Sequence, residues 1–221
     1  MARQQERARR TRAAIIGSAA VEFGKSGYSA ASLNRILEGS HATKGAMYFH
    51  FDSKEDLARA VMETALERYA QTTDRWMARG ELEPFEILHG MLDELALRFQ
   101  TDAVVQAEFR LIIEPEFYSD VQSGGGSVWG KATYVLATRA KERGMLRADT
   151  DPEKFTRMLA AVTAGQRYMT DLLSERDDLR SRFEEGFGVI LEAMATPEWL
   201  ERWKRTGWQF GARIEDVDTG S

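Results

Sequence analysis

Residues 28–51 read YSAASLNRILEGSHATKGAMYFHF, and the helical spacing and capping residues in this stretch set the architecture of the amino-terminal part. Ser32 stands where a helix begins: its hydroxyl can accept from backbone N–H groups two or three residues on, and Leu33, Ile36 and Leu37 then recur at helical spacing. The spacing predicts an end to this helix near Gly39 and a turn of Ser40, His41 and Ala42. Thr43 caps a second helix that exposes Lys44 and, one turn on, Tyr48. Two short helices joined by a tight turn form a helix-turn-helix, whose second helix enters the major groove by its amino end.

Upstream, residues 1–5 are polar and uncapped and are expected to fray. From Arg7 to Lys25 the set Ala14, Ile15, Ala19, Val21 and Phe23 predicts a buttressing helix with a stop at Gly27. Its arginine-rich start would lie near a sugar-phosphate backbone. Downstream, Ser53-Lys54-Glu55-Asp56 opens the next helix, with a serine cap and two acids at the positive end of the helix dipole. No proline or glycine interrupts it before Gly80, so a long rod is predicted.

Beyond Pro84 the apolar rows continue at helical spacing: Phe85, Leu88, Leu92, Leu95 and Phe99, then Val104 to Ile113 with more than one apolar face. Pro115 to Ser127 reads as a loop containing Gly124-Gly125-Gly126. Further helices are predicted from Trp129 to Gly144, over 152–173 and over 178–195, with a short closing helix at Trp199 and Trp203 and a polar tail from Glu215. No run alternates as a strand. The fold class expected is all-α: a three-helix helix-turn-helix domain over residues 1–51, and a helical ligand-binding and dimerisation domain over 52–221.

Composition sets bounds on function. The chain has 221 residues, no cysteine and a net charge of −5. The charge is divided: residues 1–51 hold eight cationic side chains against three acidic ones, a net +5, which leaves −10 for the remainder. Such asymmetry draws one end to phosphate and repels the other. Thiolate metal sites are excluded, His41, His50 and His89 lack metal-ligand spacing, and no glycine-rich phosphate loop is present, so catalysis finds little support. No apolar run reaches a membrane span and no signal-type segment follows the arginine-rich start, so a soluble cytoplasmic protein without membrane partner is expected.

Tyr28, Ser32, Leu33 and Ile36, with the run TKGAMYFHF from Thr43 to Phe51, resemble the DNA-binding region of the tetracycline-repressor (TetR) family of bacterial transcriptional regulators. The opening MARQQERARRTRAAIIGSAAVEFGKSGY is similar to that family's first helix, so the specific match covers roughly the first sixty residues. Within the family, the start, the TKGAMYFHF run and Trp129 resemble the γ-butyrolactone receptors of streptomycetes. One departure is the turn: Ser40-His41-Ala42 stands where Ala-Gly-Val is usual, so a side chain occupies a position that often needs a left-handed backbone. Histidine enters that region more readily than most.

The resemblance implies a homodimeric repressor without cofactor. It would sit on a pseudopalindromic double-stranded operator and be released by a small inducer of γ-butyrolactone, butenolide or furan type. A multidrug-sensing repressor of an efflux gene is the alternative, and a helical enzyme or interaction protein is a further one.

For DNA the candidates are Thr43, Lys44, Gly45, Ala46, Tyr48 and His50, with Ser32 as cap and Arg35 and Lys54 as positioning charges. Lys44 and Tyr48 can reach phosphates or base edges, and the small Gly45 and Ala46 allow close approach. The resemblance implies phosphate contacts for Tyr48 and His50. Phe49 and Phe51 are read as core aromatics. For a ligand, Trp129 lines up with a tryptophan that the butyrolactone receptors use in their pocket; its alternative is plain packing. Gln106, Arg110, Tyr134, Thr163 and Gln166 interrupt apolar helix faces, and Phe99 and Phe109 could supply walls. Arg110 opens a second possibility, a carboxylate ligand gripped by its guanidinium.

Overall fold

A computed structural model describes residues 2–120, 126–172 and 178–212. Among them the secondary structure is helical, with one isolated bridge between Leu146 and Ala195. The helices are α1 Ala2–Ala30, α2 Leu33–Ser40, α3 Lys44–His50, α4 Lys54–Met77, α5 Pro84–Thr101, α6 Ala103–Leu111, α7 Tyr118–Asp120, α8 Gly126–Glu142, α9 Pro152–Leu172, α10 Leu179–Met194 and α11 Pro197–Thr206. The chain forms two compact units: residues 1–68 with 102–125, and residues 69–101 with 126–221.

In the first unit, α1 supplies Ile15, Ile16, Ala19, Ala20 and Phe23 to a core shared with Ile36, Met47, Phe51 and Leu57. The helix begins at Ala2 rather than after a frayed start; a Glu6–Arg10 ion pair one turn apart supports its first turns. Helical geometry breaks at Gly27, where φ is 73°, as the expected stop requires, and one more turn follows to Ala30. Val21, expected inside, is 60% exposed: it lies off the Ile16–Ala20–Phe23 stripe. α6 packs along α1, where a Cβ on Gly24 would lie 3.5 Å from the Ala107 nitrogen, so the two backbones approach closely. Asp102 caps α6 by accepting from the backbone of Val104 (2.9 Å) and pairs with Arg68.

The segment after α6, expected as loop, is partly helical: a 3-10 turn spans Pro115–Phe117 before α7. Its reason is apolar, since Phe117 is fully buried and its ring meets Tyr28 edge-on at 5.0 Å. Glu114 accepts from the Tyr28 backbone N–H (3.2 Å), which fixes the chain just past the Gly27 break. Gly124 and Gly125 of the expected loop, and the tail from Glu215, lie outside the described residues.

The second unit is built on α5, which buries Phe85, Leu88, Leu92 and Phe99 against α8 and α10. Phe85, Phe155 and Phe187 form its aromatic centre, joined by Trp199 of α11 at 4.8 Å from Phe85. A carboxylate lies in this core without exposure. Glu94 accepts from Thr72 (2.9 Å), the Trp76 indole (2.8 Å) and Arg98 (3.0 Å), and pairs with Arg75. Those partners make a fully buried charge tolerable. α4 runs unbroken from Lys54 to Met77, opened by the Ser53 hydroxyl, which accepts from Asp56 N–H (3.0 Å), so the predicted rod is present.

Candidate nucleic-acid interface

The turn between α2 and α3 is built by three local devices. Ser32 and Thr43, both extended, cap α2 and α3; the Thr43 hydroxyl accepts from Ala46 N–H at 3.1 Å. His41 is the only non-glycine residue with positive φ among those described, at φ 52° and ψ 26°, and its N–H returns to the Glu38 carbonyl. The side chain is thus accommodated in the left-handed region, and the turn closes as it would with glycine.

Met47 is fully buried and anchors α3, which turns Lys44, Gly45 and Tyr48 outward. Lys44 is exposed, its ammonium 6.0 Å from the Tyr48 ring, and Tyr48 is 46% exposed. Ala46 and His50 are half-buried beside them. Phe49 corrects the sequence reading: it is 79% exposed, with only the His50 ring edge-on at 5.0 Å, whereas Phe51 is buried as expected. In a seven-residue helix anchored by Met47, position 49 falls on the far side, a signal that helical periodicity already carried.

The positioning charges have intramolecular partners. Glu22 receives both the Arg35 guanidinium, Nε at 2.9 Å from each oxygen, and the Ser32 backbone N–H at 2.9 Å. The Arg35 hydrogen bonds hold the Glu22 carboxyl at about 2, against an opposing effect of burial. Arg35 remains 57% exposed, so one edge faces outward while the other is fixed. Lys54 donates to the Ser29 carbonyl (3.2 Å) and its ammonium lies over the Tyr28 ring at 4.8 Å; burial lowers its pKa. Glu22 was missed in the sequence, because nothing local marks an acid on α1 as the organiser of α2.

The ligand candidates fall in both units. Gln106, Phe109 and Arg110 are on α6 in the first, with Phe109 buried and the other two half-buried. Phe99, Trp129, Tyr134, Thr163 and Gln166 are in the second. There Phe99 is buried under the Arg167 guanidinium at 5.7 Å, Trp129 is half-buried and Tyr134 is 48% exposed. The Thr163 hydroxyl donates to the Leu159 carbonyl (2.9 Å), a bond within its own helix, and the backbone carbonyl of Gln166 accepts from the Thr170 hydroxyl (2.6 Å).

Residues 15–61 match the sequence profile of bacterial regulatory proteins of the tetR family. Over 207 residues the chain is 30% identical to the A-factor receptor protein of Streptomyces griseus, covering 92% of this chain and 71% of that protein. The chain belongs to the TetR family. Two solved structures extend the likeness. One concerns the molecular basis for control of antibiotic production by a bacterial hormone: identity 33%, TM-score 0.72, covering 84% of this chain and 98% of the other. The second is the TetR-family protein CprB from Streptomyces coelicolor in complex with its biological operator sequence. Its identity is 25% and its TM-score 0.72, over 89% of this chain and 94% of the other. This TetR-family chain has, among its described residues, no helix long and apolar enough to cross a membrane and no histidine or acidic cluster suited to a metal ion.

Proposed function

We propose that this TetR-family chain is a ligand-responsive transcriptional repressor, acting in the cytoplasm as a homodimer and not as an enzyme. Residues 1–51 are its reading head and 52–221 serve ligand and dimer. The observation that carries this reading is the helix-turn-helix itself: Thr43 caps α3 so that Lys44, Gly45 and Tyr48 are presented together on an exposed face of a net-positive segment. Tyr48 and His50 contact phosphates, Lys44 reaches phosphates or base edges beside the capping Thr43, Gly45 and Ala46 let the helix come close, and Ser32, Arg35 and Lys54 fix its position. With few long base-reading side chains, specificity rests partly on groove shape and methyl contacts.

Two-fold symmetry calls for an isologous interface. The exposed Met158 and Met169 of α9 and Val189 of α10 support a four-helix bundle made by these helices and their symmetry mates. Two copies of α3 then meet half-sites about 34 Å apart. The inducer is of γ-butyrolactone, butenolide or furan type, held in the second unit beside Trp129 with Tyr134, Thr163, Gln166 and Phe99 as candidate lining. Likeness to a protein whose name is A-factor receptor supports a signalling ligand.

Release is a population shift: the ligand prefers a form with α4 tilted, in which the two reading helices no longer match successive grooves. A hundredfold loss of operator affinity needs only about 2.7 kcal/mol of differential binding. Trp129→Ala should keep operator binding, read by band shift, and abolish release by a panel of butyrolactones, butenolides and furans. If that variant is unfolded by circular dichroism, Trp129 is a packing residue and the pocket loses its main support.

A further inference from the structure

After α11 the chain turns at Gly207 and residues 207–212 run as an irregular strap across the second unit. It is fastened at Trp208, Gln209, Phe210 and Ala212. The Trp208 ring lies between two nearly parallel rings, His89 at 4.4 Å and Phe187 at 5.5 Å. The backbone N–H groups of Gln209 (3.1 Å) and Phe210 (3.3 Å) donate to Glu86. The Phe210 carbonyl lies 3.0 Å from His89 Nδ1 and can only accept, so that nitrogen carries the hydrogen. Ala212 N–H donates to Asp93 (2.8 Å), which is also gripped by Arg180 of α10. A Cβ at position 211 would lie 2.8 Å from that Asp93 oxygen, so a side chain there would have to displace the carboxylate.

One fastening reaches α4. The Arg79 guanidinium stands over both Phe210 (5.3 Å) and Trp76 (5.6 Å), and Trp76 is the residue whose indole donates to buried Glu94. The strap therefore meets the carboxyl end of the rod through the half-buried Arg79, which also pairs with Glu81 (2.7 Å). It is also built to come away. Gln209 and Gly211 are exposed, Phe210 is 42% exposed, and the Trp208 indole N–H is buried without an acceptor, so its seat depends on ring stacking against an unpaired donor.

We propose that residues 207–212 are a latch on the carboxyl end of α4, and that its closure favours the operator-binding form. A segment at the far end of the sequence from the reading helices thereby sets how readily the repressor lets go. This rests on the repressor reading above. Because α4 is one unbroken helix, freedom gained at Trp76 is gained by the element on which release depends.

The test uses the full chain and a duplex enriched by it from random sequence, with no inducer. Arg79→Ala removes the link to α4 from a half-buried position; Gly211→Ala crowds the Asp93 carboxylate that holds the strap. Both should speed hydrogen exchange at residues 72–77 about tenfold and weaken the duplex about fivefold, within the usual range of coupling between sites. Exchange unchanged in both variants overturns the latch. Faster exchange with undiminished duplex affinity overturns it too, leaving a local fastener, and weaker binding without faster exchange removes the route through α4. If the wild-type chain enriches no duplex, the repressor reading falls by itself, while exchange at 72–77 still decides whether the strap holds α4.

Discussion

Glu22 and Glu94 do the same chemistry in two places and with different consequences. Each gathers an arginine and further donors around one carboxylate. Beside the reading helices, Arg35 is 57% exposed; in the core of the second unit, Arg98 is 2% exposed and Glu94 wholly buried. Exposure of the arginine separates the two roles. A half-exposed pair orients a helix while keeping one face of its arginine outward. A buried pair has no solvent to fall back on and holds the end of α4 to α5 in a single arrangement.

That contrast should break first at the buried end. Glu94→Ala removes the carboxylate that balances the buried Arg98 guanidinium and is expected to cost about 3–5 kcal/mol, read as a large fall in the thermal midpoint. Glu22→Ala should cost less, about 1–3 kcal/mol. Its effect is also tied to pH. The folded carboxyl is at about 2 against an ordinary 4.5, so between those values the unfolded chain binds the proton more readily. The stabilisation is complete above pH 4.5, fades as pH falls and is gone below about 2, so wild type and Glu22→Ala should converge in acid melts. A gap that stays constant down to pH 2 would show that Glu22 acts only by packing.

Away from both carboxylates, Lys44→Ala should leave the fold intact and weaken operator binding about tenfold, or about 1.4 kcal/mol, with the salt slope reduced by about 1. The smallest change is expected at Phe49. Its exposure means that Phe49→Ser should alter stability by no more than about 0.5 kcal/mol, whereas the same calorimetry on Phe51→Ala should show a loss of about 3–5 kcal/mol.

Much of the reading head was legible because its signals are local. Caps at Ser32, Thr43 and Ser53, the left-handed turn at His41 and the length of α4 follow from residue types a few positions apart. Features made by residues far apart in sequence were not legible. Nothing near Glu114 indicates that it meets Tyr28, nothing near Trp208 indicates the slot between His89 and Phe187, and nothing near Glu22 announces Arg35. Phe49 is a different lesson: composition suggested core, and the helical period about Met47 was the better guide.

A repressor of this kind holds its operator until a small molecule arrives. Anisotropy of a labelled duplex, selected from random sequence by the full chain, measures both halves at once. The expected result is a rise at low salt that is saturable, and a return to the free-duplex value as a γ-butyrolactone, butenolide or furan is added. A duplex that stays free at the lowest salt, or a complex indifferent to every member of that panel, would contradict it.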